Sequence, residues 1–412
     1  MSFDGTITAI DIGTSKIRTV IGRFEEGETK SFHVLGIGIA SSNAIRKGNI
    51  LDMEEFKSNL DKSLEDAEKM AGEQVSGAFL SFNSSSFEVI TSKGVVAISG
   101  SEIAQDDIDR VLEMCKNGVD MPNKEILKVI PEYFVVDLEE GVKNPLGMSA
   151  RKLEAVAHIF SMNLNVLSNI KKAVADVGIE VYDIYPNLLS APEGVLTKRQ
   201  KELGVVCIDI GASTTGVTVF EEGSLKFSSI IPIGGDNVTN DIALGLRTSI
   251  DVAEKLKLEF SELNLSEDIL KGGEDEIDLS RLNIGENMML SRLYLSKIAT
   301  ARYEEILFFV REELRKVGKD GMLPEGAILV GGGAKARGLL EVAKDILRLP
   351  CFIGTPVEKD SLADTTISDP VFASAIGTMI LAKKYSAPAS FFSLNVTGVF
   401  SSIIKVFKRL LP

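Results

Sequence analysis

Two short motifs of matching composition could bind phosphate. Segments 11–15 and 209–213 both begin Asp-Ile-Gly, and each follows a short apolar run that predicts a buried strand. The glycine permits a tight turn whose backbone N–H groups can face an anion, and the residues after it supply hydroxyl donors and one lysine. Two copies predict a duplicated architecture that presents equivalent loops to one ligand. The predicted phosphate-binding residues are Gly13, Thr14, Ser15, Lys16, Gly211, Ala212, Ser213 and Thr214.

The aspartates that open the two motifs predict a metal cation. A bare carboxylate repels phosphate, so Asp11 and Asp209 suit a phosphate site only if a hard cation accompanies the ligand. We expect Mg²⁺, bound largely through its own water shell, together with a nucleotide in a cleft between two halves of the chain. The alternative is that each aspartate caps its own turn with its side chain.

A third glycine-rich turn could contact the rest of a nucleotide. Residues 327–330 predict a short apolar strand, and residues 335–347 have the periodicity of an amphipathic helix. The turn between them consists of Gly331, Gly332, Gly333 and Ala334. Its glycines would let the backbone lie close to a ribose or a base. A dinucleotide-binding turn is the alternative, but its usual context of strand, helix and acidic ribose ligand is not apparent in the first domain.

The three motifs, in this order and spacing, resemble the superfamily of actin, hexokinase and the large heat-shock ATPases. Within that superfamily, residues 205–260 and 301–307 resemble FtsA, the actin-like family of bacterial cell division. The likeness runs over nearly the whole chain. It implies an α/β fold of two related domains with duplicated sheet and helix cores, and ATP held between them.

The resemblance also implies further nucleotide contacts in the second domain. It places Glu254 and Lys257 on the adenine and ribose, and Gly235 among the nucleotide-binding residues. Glu254 and Lys257 lie one helical turn apart, so a surface ion pair is the alternative for them. For hydrolysis, the resemblance makes Asp11, Asp209 and Asn187 the candidate catalytic residues. Since Asn187 stands where relatives have Glu or Gln to orient the attacking water, we expect slow hydrolysis at best.

The resemblance divides the chain into subdomains. They are 1–83 with 164–198 (subdomain 1A), 84–163 (the inserted subdomain 1C), 199–236 with 318–384 (subdomain 2A), 237–317 (subdomain 2B), a linker at 385–398 and an amphipathic helix at 399–412. We expect 237–317 to be all-helical. The implied role of subdomain 1C is polymer contact and recruitment of later division proteins.

The end of the chain has the pattern of a membrane-surface helix. On a helical projection, the residues of one face are apolar and every charged residue opposite them is basic, in a chain whose net charge is −14. The predicted membrane residues are Val399, Phe400, Ile403, Ile404, Lys405, Phe407, Lys408, Arg409, Leu410 and Leu411. Polymerisation would strengthen attachment, because many such helices would bind together. The alternative is a helix that docks on its own domain or on a partner protein.

Composition limits the other functional classes. The negative net charge argues against nucleic acid as the main partner. Three widely spaced cysteines are typical of a reduced cytosolic protein, and we find no signal peptide and no apolar stretch of membrane-spanning length. We therefore expect a cytoplasmic protein, peripheral on the inner face of the cell membrane at the division site.

These observations and the resemblance together predict an ATP-binding, self-associating protein that tethers FtsZ filaments to an anionic membrane surface. The implied site for the FtsZ C-terminal peptide includes Arg302 and Tyr303, although Arg302 could equally be an ordinary helix-face charge. Two alternatives remain. An actin-like adaptor of a pilus or secretion assembly would bind a membrane protein's peptide instead of FtsZ, and a small-molecule kinase would add a substrate cleft with a catalytic aspartate.

Overall fold

The computed structural model describes residues 6–25, 32–265, 276–278, 289–356 and 365–386. The predicted helix 399–412 lies outside these residues, as does the predicted linker 385–398 apart from Tyr385 and Ser386, which end a helix. Within the described ranges, no helix is both long enough and apolar enough to cross a bilayer.

The elements are numbered in chain order. The strands are β1 (Thr6–Ile12), β2 (Lys16–Phe24), β3 (Phe32–Ser41), β4 (Ile45–Arg46), β5 (Asn49–Ile50), β6 (Gly77–Phe82), β7 (Glu88–Ala97), β8 (Lys124–Val136), β9 (Glu139–Val142), β10 (Lys152–Asn163), β11 (Glu180–Pro186), β12 (Val205–Ile210), β13 (Thr215–Glu221), β14 (Ser224–Ile231), β15 (Glu276–Asp278), β16 (Met289–Ser291), β17 (Ala327–Val330) and β18 (Cys351–Ile353). The helices are α1 (Met53–Ala71), α2 (Gln105–Asn117), α3 (Leu164–Asp176), α4 (Asn187–Val195), α5 (Lys198–Leu203), α6 (Gly235–Leu246), α7 (Ile250–Phe260), α8 (Arg292–Lys316), α9 (Leu339–Leu347) and α10 (Ala373–Ser386).

Two five-stranded sheets share one topology. The first has the order β11-β6-β1-β2-β3, and the second has the corresponding order β18-β17-β12-β13-β14. In each sheet three consecutive strands form an antiparallel meander, and two later strands add in parallel beside the first strand of that meander. The central strands β1 and β12 are almost entirely buried, which their continuous apolar runs require. The predicted duplication is confirmed.

The first sheet carries an inserted module between β6 and α3. Its four-stranded sheet has the order β7-β10-β8-β9, and α2 packs against it around Val111 and Leu112. The module touches both halves of the chain. Lys128 of β8 pairs with Asp183 of β11, and Glu132 of β8 lies 3.3 Å from the amine of Lys226 in β14. Its position therefore depends on the arrangement of both sheets.

The segment 237–317 is not all-helical. Helices α6, α7 and α8 dominate it, but β15 and β16 form a short antiparallel pair, with Ile277 buried against the helices. The predicted helix 335–347 also begins later than expected. A 3-10 turn occupies Gly332–Lys335, and Gly338 has a left-handed backbone (φ 80°) directly before α9. A Cβ at Gly338 would lie 2.5 Å from the carbonyl oxygen of Leu263, so the chain turns tightly there before the helix starts.

Helices α4 and α10 cross between the two sheets at very short range. The site where Gly377 would carry a Cβ is 1.7 Å from the carbonyl oxygen of Ser190, and the corresponding site at Gly194 is 2.2 Å from the carbonyl oxygen of Ala373. The backbones touch because neither helix has a side chain at the crossing. Residues of α4 pack on the second sheet, and residues of α10 pack on the first.

We predict that Gly377→Ala destabilises the protein. In an ordinary helix this change stabilises by about 1 kcal/mol. Here it should cost about 2 kcal/mol, because the new methyl group would overlap a backbone carbonyl and force α4 and α10 apart. Urea denaturation of the ligand-free protein measures the effect. The matched control is Gly332→Ala, since a Cβ at Gly332 meets nothing within 4 Å. Equal midpoints for the two variants would contradict the prediction.

Candidate functional site

The two Asp-Ile-Gly motifs form equivalent turns that face each other. In the β1–β2 turn the N–H of Gly13 donates to the carbonyl of Lys16 at 3.1 Å, and in the β12–β13 turn the N–H of Gly211 donates to the carbonyl of Thr214 at 2.9 Å. The hydroxyl oxygens of Thr14 and Ser213 lie 2.7 Å apart, so one hydrogen bond joins the two turns. The structure thus brings the two predicted phosphate-binding segments together between the sheets.

Asp11 and Asp209 are both buried behind these turns. Burial, together with the negative charge of Asp11, raises the pKa of Asp209 to about 7. Burial also raises the pKa of Asp11, although the guanidinium of Arg18, 3.7 Å away, opposes that shift. Two carboxylates with little compensating positive charge are held in one low-dielectric space, which is costly unless a cation joins them.

Two asparagine amides contact these carboxylates. Asn187, the first residue of α4, donates from Nδ2 to Oδ1 of Asp11 at 3.1 Å. Asn83, the residue after β6, donates from Nδ2 to Oδ2 of Asp209 at 3.2 Å. Within the part of the chain that the structure describes, the carbonyl oxygens of both amides are buried without a hydrogen-bond partner. Carboxylate and amide oxygens are the ligands that Mg²⁺ and its water shell prefer, so these residues fit a hydrated Mg²⁺ ion.

Sequence reasoning identified Asn187 and missed Asn83. The sequence does contain one indication that Asn83 could belong to the site, because it is a polar residue directly after the fully buried strand β6. That strand is the parallel neighbour of β1, so its carboxyl end lies beside the first Asp-Ile-Gly turn. Asn83 belongs to no repeated motif, however, and strand order is needed to place it there.

The third glycine-rich turn lies against the second aspartate. Gly331 has φ 82°, and a Cβ there would be 2.4 Å from Oδ1 of Asp209. The next glycine in contact, Gly333, lies over Ile210, where a Cβ would be 2.3 Å from the side chain. These glycines let the backbone approach Asp209 and Ile210 closely, and the predicted approach to a ribose or a base stays a prediction. The Gly331–Ala334 segment and the second Asp-Ile-Gly turn form one continuous surface.

The predicted residues of α6 and α7 also lie at this surface. The N–H of Gly235, which starts α6, donates to the carbonyl of Gly211 at 2.9 Å. Lys257 donates to the carbonyl of Gly235 at 3.2 Å and forms an ion pair with Glu254 at 2.6 Å. Glu254 and Lys257 thus form an ion pair, which was the alternative to contacts with adenine and ribose, and this pair lies beside the predicted nucleotide site.

Other predicted site residues lie elsewhere or point differently. Lys16 donates to the hydroxyl of Ser41 at 2.7 Å. Arg302 is bound bidentately by Asp241 of α6, at 2.6 and 3.0 Å, which anchors α8 to α6.

Tyr303 does not lie on the predicted peptide-binding surface. It is buried, with 3% of its area exposed, and its hydroxyl donates to the carbonyl of Gly333 at 3.3 Å. It supports the glycine-rich turn from inside. The predicted membrane residues lie outside the described ranges.

We predict that Asp209→Asn stabilises the ligand-free protein near pH 8. A raised carboxyl pKa means that the folded chain binds a proton more tightly than the unfolded chain, so wild-type stability falls as pH rises from about 4 to about 7. The asparagine variant avoids this loss. Its gain, on the order of 1 kcal/mol or more near pH 8, should shrink as pH falls towards 5. Urea midpoints at both pH values measure it.

Asp320→Asn provides a control of opposite sign. Its hydrogen bond with Arg311 lowers the pKa of Asp320, so neutralising it should reduce stability near pH 8. If Asp209→Asn also reduced stability there, burial of charge would not be the dominant cost at the site.

The chain is similar to known proteins over most of its length. The family model "Cell division protein FtsA" matches residues 206–377, and the model "SHS2 domain inserted in FTSA" matches residues 84–161, the region of the inserted module. The chain is 33% identical to the cell division protein FtsA of Pseudomonas aeruginosa over 95% of its own length and 92% of that protein. It is 33% identical to FtsA of Bacillus subtilis, over 84% and 78% of the two chains.

Solved structures share the fold at low sequence identity. The structure described as "PilM-PilN type IV pilus biogenesis complex" aligns with a TM-score of 0.62 at 14% identity, over 92% of this chain and 98% of that one. MreB5 of Spiroplasma citri, solved with ADP, aligns with a TM-score of 0.54 at 15% identity, over 94% and 99% of the two chains. These neighbours confirm the predicted actin-like α/β fold, and the sequence matches show that the chain belongs to the FtsA family of cell division proteins.

Proposed function

We propose that this cell-division protein is an ATP-bound polymer subunit that tethers FtsZ filaments to the cytoplasmic membrane. The observation that carries the proposal is the hydrogen bond between Thr14 and Ser213, since it brings equivalent turns of the two halves to one point. A ligand bound there contacts both halves at once. The amphipathic pattern of residues 399–412 supplies the membrane anchor.

The nucleotide lies between the two turns in this proposal. The hydroxyls of the two turns and the N–H groups that follow Gly13 and Gly211 face the phosphates. Gly331–Ala334 lies along the adenosine, and the charged pair Glu254 and Lys257 closes the site near the start of α6. Asp11 and Asp209 hold Mg²⁺ through water. Two MreB5 structures of related fold are described as bound to ADP and AMPPNP, which supports nucleotide binding by this fold.

We infer that the nucleotide acts mainly as a structural ligand. Turnover needs a group that orients and activates the attacking water. Asn187 occupies the start of α4, but its amide nitrogen already donates to Asp11 and an amide is not a base. Hydrolysis is therefore slow, and the bound nucleotide serves to fix the angle between the two halves and so the shape of the polymer subunit.

The inserted module and the helices α6 to α8 carry the partner contacts in this proposal. The module, residues 84–163, contacts neighbouring subunits and later division proteins. The FtsZ C-terminal peptide binds beside Arg302, whose side chain retains 24% exposure next to its carboxylate partners. Tyr303 acts indirectly, because it is buried beneath the glycine-rich turn. The remaining subdomain limits are those stated from the sequence.

Liposome co-sedimentation tests the tether. We expect the full chain to pellet with anionic vesicles and to carry FtsZ with it, and a chain ending at Asn395 to stay in solution. A full-length Phe407→Asp variant is the matched control, because it interrupts the apolar face of the predicted helix without shortening the chain. Neutral vesicles should bind less of the full chain. If the full and shortened chains both stayed in solution, the terminal helix would be a docking element and the tether would be rejected.

A charge swap tests the FtsZ site. Arg302→Glu should weaken binding of the FtsZ C-terminal peptide by about tenfold, because a charge-assisted contact is replaced by repulsion. It also breaks the α6–α8 ion pair, so the double variant Arg302→Glu with Asp241→Arg restores that pair in reverse. We expect the double variant to bind the peptide as weakly as the single one in a fluorescence anisotropy titration. Restored binding would mean that Arg302 acts only by holding α8 on α6.

A further inference from the structure

The side chain of Asn83 links the two halves of the chain at the carboxylate pair. Asn83 lies at the end of β6 in the first sheet, and its hydrogen-bond acceptor, Asp209, is the second-last residue of a strand of the second sheet. The bond therefore fixes the orientation of a second-half carboxylate from the first half. Asn187, at the start of α4, donates to Asp11 within the first half, and its amide also contacts Asp209.

The second sheet leaves space for this amide. Gly216 of β13 is the register partner of Asp209. A Cβ at Gly216 would lie 3.3 Å from Nδ2 of Asn83 and 3.1 Å from the side chain of Leu188. Both distances are shorter than ordinary van der Waals contact, so a larger residue would require the amide or the leucine to shift by a few tenths of an ångström. The placement of the Asn83 side chain thus depends on three strands, β6, β12 and β13.

The backbone beside Asn83 is also fixed, by the β4–β5 hairpin. The carbonyl of Lys47 accepts from the hydroxyl of Ser84 at 3.2 Å and from the N–H of Ser85 at 3.1 Å. The N–H of the same lysine donates to the hydroxyl of Ser213 at 3.0 Å. The hairpin therefore connects the residue after Asn83 to the second phosphate-binding turn. A side chain held in this way loses little conformational freedom when a ligand arrives.

The carbonyl of Asn83 is left without a partner. Its Oδ1 is buried and accepts no hydrogen bond from any group in the described ranges. Leaving such a group unpaired is unfavourable, so a buried orphan oxygen beside two carboxylates indicates a ligand that donates to it. Water bound to a divalent cation is such a hydrogen-bond donor, and the carbonyl oxygen of an amide is a suitable acceptor for it.

We propose that Asn83 is a positioning residue for the cation that accompanies the nucleotide. Its Nδ2 holds the Asp209 carboxylate in place, and its Oδ1 accepts a hydrogen bond from cation-bound water. The inference rests on the proposed binding of ATP and adds a residue that none of the sequence motifs contains. Its specific consequence is that Asn83 strengthens binding of Mg-ATP without strengthening binding of metal-free ATP.

Calorimetric titration of the full chain with ATP, in excess MgCl₂ and in excess EDTA, tests this. We expect the wild type to bind more tightly with Mg²⁺. Asn83→Ala should weaken binding about tenfold in MgCl₂ and leave the affinity in EDTA nearly unchanged, because the lost contacts are made to a charged group and to cation-bound water. A residue with a purely structural role would weaken both affinities alike. Asn165→Ala, an exposed asparagine on α3, is the matched control and should change neither.

Two further variants keep the test decisive. If Asn83→Ala failed to fold, Asn83→Ser, which keeps a small polar side chain too short to reach Asp209, should show the same loss confined to MgCl₂. Gly216→Ala, which crowds the amide with Asn83 intact, should cause a smaller loss that is also confined to MgCl₂. Equal weakening in both buffers, or no change in either, would overturn the inference while leaving the proposed ATP site in place. Absence of wild-type ATP binding in both buffers would overturn the two together.

Discussion

Burial of two like-charged carboxylates in one space is the constraint on which the site depends. Asp11 and Asp209 are the second-last residues of the central strands of two sheets, and the turns that follow those strands meet. Their raised pKa values reflect a ligand-free state that is electrostatically unfavourable. Two amides and one guanidinium offset part of that cost. A bound cation would offset the rest, and it would also neutralise the repulsion between these carboxylates and a polyphosphate, so a cation-bound ligand would stabilise the arrangement of the two turns.

The duplicated part of the fold was predictable because its signals are local. A buried strand, an aspartate and a tight glycine turn occupy consecutive residues, and the same pattern occurs twice. The glycine-rich turn at 331–334 was found for the same reason. The start of α9 was not, since Gly338 has a left-handed backbone and packs against the carbonyl of Leu263, and that contact is distant in sequence. The β15–β16 pair is short enough that its pattern gives no clear period.

The directions of the side chains at the candidate site were harder to predict from the sequence than the positions of the turns. Arg302 and Tyr303 are adjacent on α8, so they point to different faces of the helix, and the sequence does not say which face meets the core. The structure buries the tyrosine and ties the arginine to α6. Asn83 presents a different difficulty, because nothing in its own segment distinguishes it from any other polar residue that follows a strand. Only the parallel pairing of β6 with β1 brings it to the carboxylates. Local pattern located the turns, and tertiary pairing decided which neighbours complete them.

The crossing of α4 and α10 has a consequence for how the chain can be divided. Ala191 and Leu196, from the α4 region that follows the first sheet, complete the apolar layer under Val205 and Ile328 of the second sheet. Residues of α10, which follows the second sheet, complete the layer over Ile7 and Phe79 of the first. Each half therefore supplies a helix that covers one face of the other half's sheet. A cut between the halves at the end of α5 would leave the first fragment without the cover of α10 and the second without that of α4, so the sequence boundary between the two domains is not a boundary between two independent folding units.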